Sequence, residues 1–312
     1  MTVADGSQVR LADVTETVIG TIPATPAFQI MRYLTSDVRI NKQTEIPDEV
    51  RADRNVGSIV DVGRSVLGPI NGLLSYGTYD TWLERLLCST WTSDVLKNGI
   101  LAKTGTLEQT FIQGGGSSFI RYRACRWNTL DLQMNSRASI GANWGIMGID
   151  SPAPTSAIIT GATYTNPTTT PVMNAGLNVA NLVLTGADIT ASPKIQQMSL
   201  SIKNNIYQND VVGAYAPYSH GLGRHEVSGS MVCYFEDLYT YNAILNHSDV
   251  GISFTVGNAT LQKYTFALEN VKLMDGGPSA PGNGKAVMMT VPFQAYYGPS
   301  SAASMSITRA VA

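Results

Sequence analysis

Charge is what this chain has least of. Only 14% of its 312 residues are Asp, Glu, Lys or Arg, against roughly 25% in ordinary soluble domains. With 21 basic and 23 acidic residues the net charge is −2. No global basic field exists to hold nucleic acid. Cysteine is scarce too: Cys88, Cys125 and Cys233 give an odd count without CxxC spacing. That argues against a disulfide framework and for three small core residues in a reducing compartment. No run approaches the ~18 apolar residues of a membrane helix, so no membrane partner is expected. The start, Met1-Thr2-Val3-Ala4-Asp5-Gly6, has neither the basic nor the apolar stretch of a signal peptide. A soluble protein made in the cytoplasm is expected.

Catalytic and cofactor signatures are missing as well. There is no GxSxG, Walker or Rossmann pattern, and no cofactor, metal or catalytic residue is expected. His220 and His225 share a Gly-rich loop but lack further ligands at metal spacing. His247 follows a helix, where the dipole favours it. Arg121, Arg123 and Arg126 with Tyr122 and Trp127 form the strongest basic-aromatic cluster. It suits phosphate contact or interface salt bridges.

What the chain does have is repetition. Ile70 to Tyr76, then Asp80 and Trp82, has a counterpart at Val227 to Cys233, Asp237 and Tyr239, at a separation of 157. Each copy reads as a period-2 strand, a turn and a period-3.6 helix. Asp80 and Asp237 stand at the two helix starts and are expected N-caps rather than paired acids. The matching order predicts two domains, 1–150 and 172–312, joined by a Pro- and Thr-rich linker over 151–171. Residues 1–28 are expected to form an extended arm.

Each copy carries a long polar loop, 41–58 and 203–222. Lys42, Glu45, Asp48, Glu49, Arg51, Asp53 and Arg54 crowd the first. Asn209, Asp210 and His220 lie on the second. Loops this long are uncommon unless they are functional or disordered. The sparse charge and abundant Thr, Ser, Asn, Gly and Ala suit a subunit whose surface is covered by neighbours.

From Leu34 to Trp91 the chain has the charged loop, Gly57, the strand ending Gly72-Leu73-Leu74-Ser75-Tyr76 and the helix at Asp80. This run resembles the tail tube proteins of long-tailed bacteriophages, and Met198 to Phe293 shows the same order. The resemblance implies a mainly β fold: two tandem β-sandwich or half-barrel domains, each with one flanking helix. It implies a structural virion protein, not an enzyme. Neighbours would join their sheets into a closed barrel, and rings would stack into a hollow tube that conducts DNA. The two long loops would then reach the next ring. Duplication predicts trimeric rings with pseudo-sixfold symmetry. The implied partners are the chain itself and the tail tip, tape measure and tail terminator proteins, with DNA passing through transiently. A β-rich adhesion or receptor-binding module shares the composition and is the alternative. It does not require equivalent loops in both halves.

Overall fold

The computed structural model describes residues 3–257 and 260–310. The strands, in chain order, are β1 (Arg10–Thr15), β2 (Ala27–Ile30), β3 (Thr35–Ser36), β4 (Arg39–Glu45) and β5 (Val60–Leu73). Helix α1 (Asp80–Leu86) precedes β6 (Val95–Lys97), β7 (Gly105–Gln113), β8 (Gly116–Asn135) and β9 (Gly141–Gly148). Next come β10 (Thr163–Thr165), β11 (Val179–Gly186), β12 (Ile195–Lys203), β13 (Tyr207–Asn209), β14 (Ser219–Gly221) and β15 (Glu226–Tyr234). Helix α2 (Tyr239–Leu245) leads into β16 (Val250–Val256), β17 (Tyr264–Leu273), β18 (Met288–Tyr296) and β19 (Ser306–Arg309). The fold is therefore mainly β with two short helices, and its sheets are open.

Pairing order is the same in both halves. The first runs β4–β5–β9–β8–β7–β1, every neighbour antiparallel. The second runs β12–β15–β18–β17–β16–β11, again all antiparallel. A register irregularity repeats as well. Between Gly105↔Cys125 and Leu107↔Tyr122 the β7–β8 ladder carries a bulge. Between Val250↔Val271 and Ile252↔Leu268 the β16–β17 ladder carries the same one. Bulges re-aim a strand and do not arise from a regular pattern, so they fix the correspondence: Cys125 with Val271. Followed across the ladders, this matches Gly148 with Ala295, Val66 with Val227 and Ile40 with Ile202.

The helices end alike. Cys88 and His247 both take a left-handed φ of 49°. Ser89 N–H donates to the Glu84 carbonyl, and Ser248 N–H to that of Ala243, each at 3.0 Å. This is the Schellman stop. It separates the helices by 159 residues rather than 157. Asp80 therefore corresponds to Tyr239, and Asp237 to Thr78. The cap position falls on Tyr79 and Leu238, neither with a side-chain cap bond. Asp80 is the first helical residue, and its carboxylate accepts from Tyr264 Oη and from Arg309 Nη1. Asp237 lies one residue before the cap and accepts the Tyr239 N–H at 2.9 Å.

The described part of the expected arm, residues 3–28, is not free. Leu11 and Ala12 are buried, and β1 pairs with both β2 and β7. Likewise 151–171 contains β10, which runs parallel to β2. The loop predicted from residue 41 begins as strand β4.

The halves meet in one sheet. β12 of the second half pairs on one edge with β15 and on the other with the C-terminal part of β8, from Thr129↔Lys203 to Asn135↔Gln197. The core follows from alternation. One ladder row, Ile70–Trp144–Leu130–Ile202–Val227–Ala295, crosses six strands. All six residues are buried. Above it α1 seats Trp82 against Trp127 and Trp144, at ring-centroid distances of 5.3 Å. Each such aromatic, fully desolvated, contributes on the order of 2–3 kcal/mol.

Candidate assembly surfaces

The face of the shared sheet opposite the core is set by the same period of two. Its adjoining row reads Thr35–Asn71–Asn143–Asp131–Ser201–Ser228–Gln294 across seven strands. All seven are half-buried or exposed, and only Asp131 is charged. The next residues out along the same face include Gln133, Ser199 and Ser230. A broad surface rich in hydroxyls and amides therefore spans both halves, with Lys272 opposite Gln294 at one end and Lys203 two residues beyond Ser201 on its strand. Such groups bond to water and offer phosphate neither a fixed cation nor a strong repulsion.

A second surface is the projecting β4–β5 hairpin. All seven residues of β4 are exposed, as are residues 48–62. Lys42 pairs with Asp61 at 2.8 Å and Arg51 with Asp53 at 2.8 Å. Arg51 holds the Asp53 carboxyl well below its usual range, near 2. Glu45, Asp48, Glu49 and Arg54 are exposed around them. Between these charges the hairpin exposes Ile46, Val50, Val56, Ile59, Val60 and Val62. Six exposed β-branched residues on one hairpin leave an apolar patch that a folded monomer does not cover.

The second polar loop leans on the first-half hairpin. Arg64 N–H donates to the Tyr215 carbonyl at 3.0 Å, the Arg64 guanidinium lies 5.1 Å over the Tyr215 ring, and Tyr215 Oη donates to Asp61. Asn209 and Asp210 are exposed on this loop. His220 is not: it is 6% exposed, with both ring nitrogens unpartnered. Burial lowers its pKa to about 4. His225 is shifted the same way to about 4, and its Nδ1 lies 2.9 Å from Asn204 Oδ1. Among the described residues no three His, Cys, Asp or Glu side chains gather as a metal site.

The basic-aromatic cluster proves structural. Arg121 Nε donates to the buried Glu108 at 2.7 Å, and Glu108 also accepts from Tyr164 Oη at 2.7 Å. Arg123 pairs with Asp150 at 3.0 Å. Arg126 is buried, and desolvation lowers its pKa. Arg85 and Asp13 form a second buried pair at 2.7 Å. Glu16, invisible as a site in the sequence, accepts from Thr104, Thr106 and the backbone N–H groups of Gly20 and Ala124. Four donors satisfy this buried carboxyl group. The three cysteines are buried and unpaired, and burial raises the thiol of Cys233 to about 11.

What stands out is thus a two-copy sheet, a bland polar face and an uncovered hairpin, a set that serves assembly. Family comparison decides which assembly: residues 6–295 match the family model described as phage tail tube protein. The chain belongs to the phage tail tube protein family. A search of curated proteins finds no match. A tail tube protein is a structural protein of the virion tail, and a non-enzymatic role follows from the family. Among its described residues no helix is long and apolar enough to cross a membrane.

Proposed function

We propose that three copies of this tail tube protein close into a ring with pseudo-sixfold symmetry, and that stacked rings form the tube through which the genome is ejected. The observation that carries this is the matched order of six strands in each half, with a bulge at the same place in both. Two like units fused in one chain let three chains occupy six similar positions. The unit boundaries proposed are 1–150 and 172–312, with 151–171 between them.

In this reading the polar row from Thr35 to Gln294 faces the bore. DNA passes a wall dominated by Ser, Thr, Asn and Gln, with Asp131 the one charge in the row, that neither grips nor strongly repels it. The exposed hairpin and loop reach the neighbouring ring through Lys42, Glu45, Asp48, Glu49, Arg51, Asp53, Arg54, Asn209 and Asp210, around the apolar residues between them. Self-association comes first, in the host cytoplasm. Tail tip, tape measure and tail terminator proteins meet the tube at its ends and inside.

The test adds positive charge to the bore. Ser201→Arg with Ser228→Arg places two cations per chain on the proposed wall. Tubes should still form in electron micrographs, while virions carrying them release DNA more slowly in an ejection assay. Unchanged ejection from intact tubes would remove this face from the bore.

A further inference from the structure

The seam inside one chain specifies a seam between chains. At the internal seam the outer edge of β8 receives β12, with Leu132 opposite Leu200 and Leu130 opposite Ile202. The counterpart of β12 is the edge formed by β3 and β4, since Ile40 corresponds to Ile202 and Val38 to Leu200. Val38 and Leu200 are both buried, so the two edges present the same face. β3 and β4 pair with β5. Among the described residues no backbone partner lies on their other side.

The counterpart of the receiving strand is the segment after β17. Beyond Leu273 the chain stays beside β18: Met274 N–H donates to the Pro292 carbonyl at 2.9 Å, and Ser279 N–H to Met288 at 3.1 Å. The bridge Pro278↔Met289 sits where Leu132↔Ala142 sits in the first half, including the extra residue that β8 inserts between Trp127 and Thr129. Pro278 therefore corresponds to Leu132. Residues 277–281 are exposed, and no strand lies outside them among the described residues.

We infer that the β3–β4 edge of one chain pairs antiparallel with the outer edge of residues 275–281 of a second copy, in the register Ser36–Ala280, Val38–Pro278 and Ile40–Gly276. This rests on the reading that like chains are ring neighbours, and it assigns the edges and the register. Each edge has one free side and the two are different, so the contact is head-to-tail, the kind that closes into a ring when the rotation per chain allows. The receiving segment differs from β8 in holding Pro278 and Pro281 within Gly-Gly-Pro-Ser-Ala-Pro-Gly. Proline cannot donate to a ladder and protects an edge from indiscriminate pairing. The internal seam is thus a full ladder, and the seam between chains is a sparser one that forms only with its matching edge.

Directly opposed Cα atoms in an antiparallel pair lie about 4.5–5.5 Å apart, within disulfide reach. The full-length Ser36→Cys, Ala280→Cys variant should therefore give, on mild oxidation of assembled protein, a non-reducing ladder of two and three chains. The native cysteines are buried and do not compete. Neither single variant should give the three-chain band. The pair S36C, S279C, whose side chains leave opposite faces, should crosslink at least about tenfold less. On wild-type tubes, amide exchange at 35–41 should slow on assembly. Tubes that form with neither the ladder nor this protection would overturn the seam and leave the tube reading standing. Wild-type protein that forms no rings would overturn both.

Discussion

Gly68 and Gly229 show at the scale of single residues why the two halves need the same chemistry. A Cβ on Gly68 would collide with the Asp37 carbonyl, and one on Gly229 with the Ser199 carbonyl. These are corresponding residues on corresponding strands, so each half needs glycine at one place for one reason. Gly229→Ala should destabilise by about 1–3 kcal/mol through overpacking, read as a lower denaturant midpoint, and Gly68→Ala should do the same. Acid stability also belongs here. His220 and His225 titrate near 4 when folded and near 6.5 when unfolded. Below pH about 6.5 the unfolded chain takes up protons the folded chain refuses, so stability falls as pH drops towards 4 and levels off below it. The midpoint of thermal unfolding should follow that window. It should fall less in the H220Q, H225Q variant.

At the scale of elements, strands and helices were legible because their periods are strong. Alternation from Phe119 to Met134 and the apolar face of Trp82, Leu83 and Leu86 are unmistakable. The alignment of the copies was less legible. Pairing Ile70 with Val227 is off by four residues from the ladder, which pairs Val66 with Val227. An even slip keeps every side chain on its proper face, so alternation could not reveal it; only the bulges and glycine collisions do. Residues 1–28 look like a free arm because β1 is short and its partners β2 and β7 are non-local. The polar face of the shared sheet was equally hidden, since it exists only after β8 and β12 pair. Among elements the β4–β5 hairpin carries the clearest prediction. Replacing residues 46–59 with a short Gly-Ser turn removes exposed side chains, not core. Its midpoint of thermal unfolding should stay within a few degrees of wild type while filaments disappear from electron micrographs. A large loss of stability would mean that the hairpin supports its own chain rather than the next ring.

For the whole molecule, the duplicated strand order turns assembly into a counting problem. A single-copy subunit needs six chains for six positions; two units in one chain need three. In the proposed ring of three chains, half the seams would be covalently tethered and half would remain to be made between chains. In that ring, tethering would raise the effective concentration of one half for the other to the millimolar range, the internal seams would assemble with folding, and only three contacts would depend on protein concentration. Cryo-electron microscopy of assembled rings measures this directly. The account predicts three chains per ring, six similar lobes, and the row from Thr35 to Gln294 turned to the lumen. Six chains per ring, or that row turned outward, would contradict it.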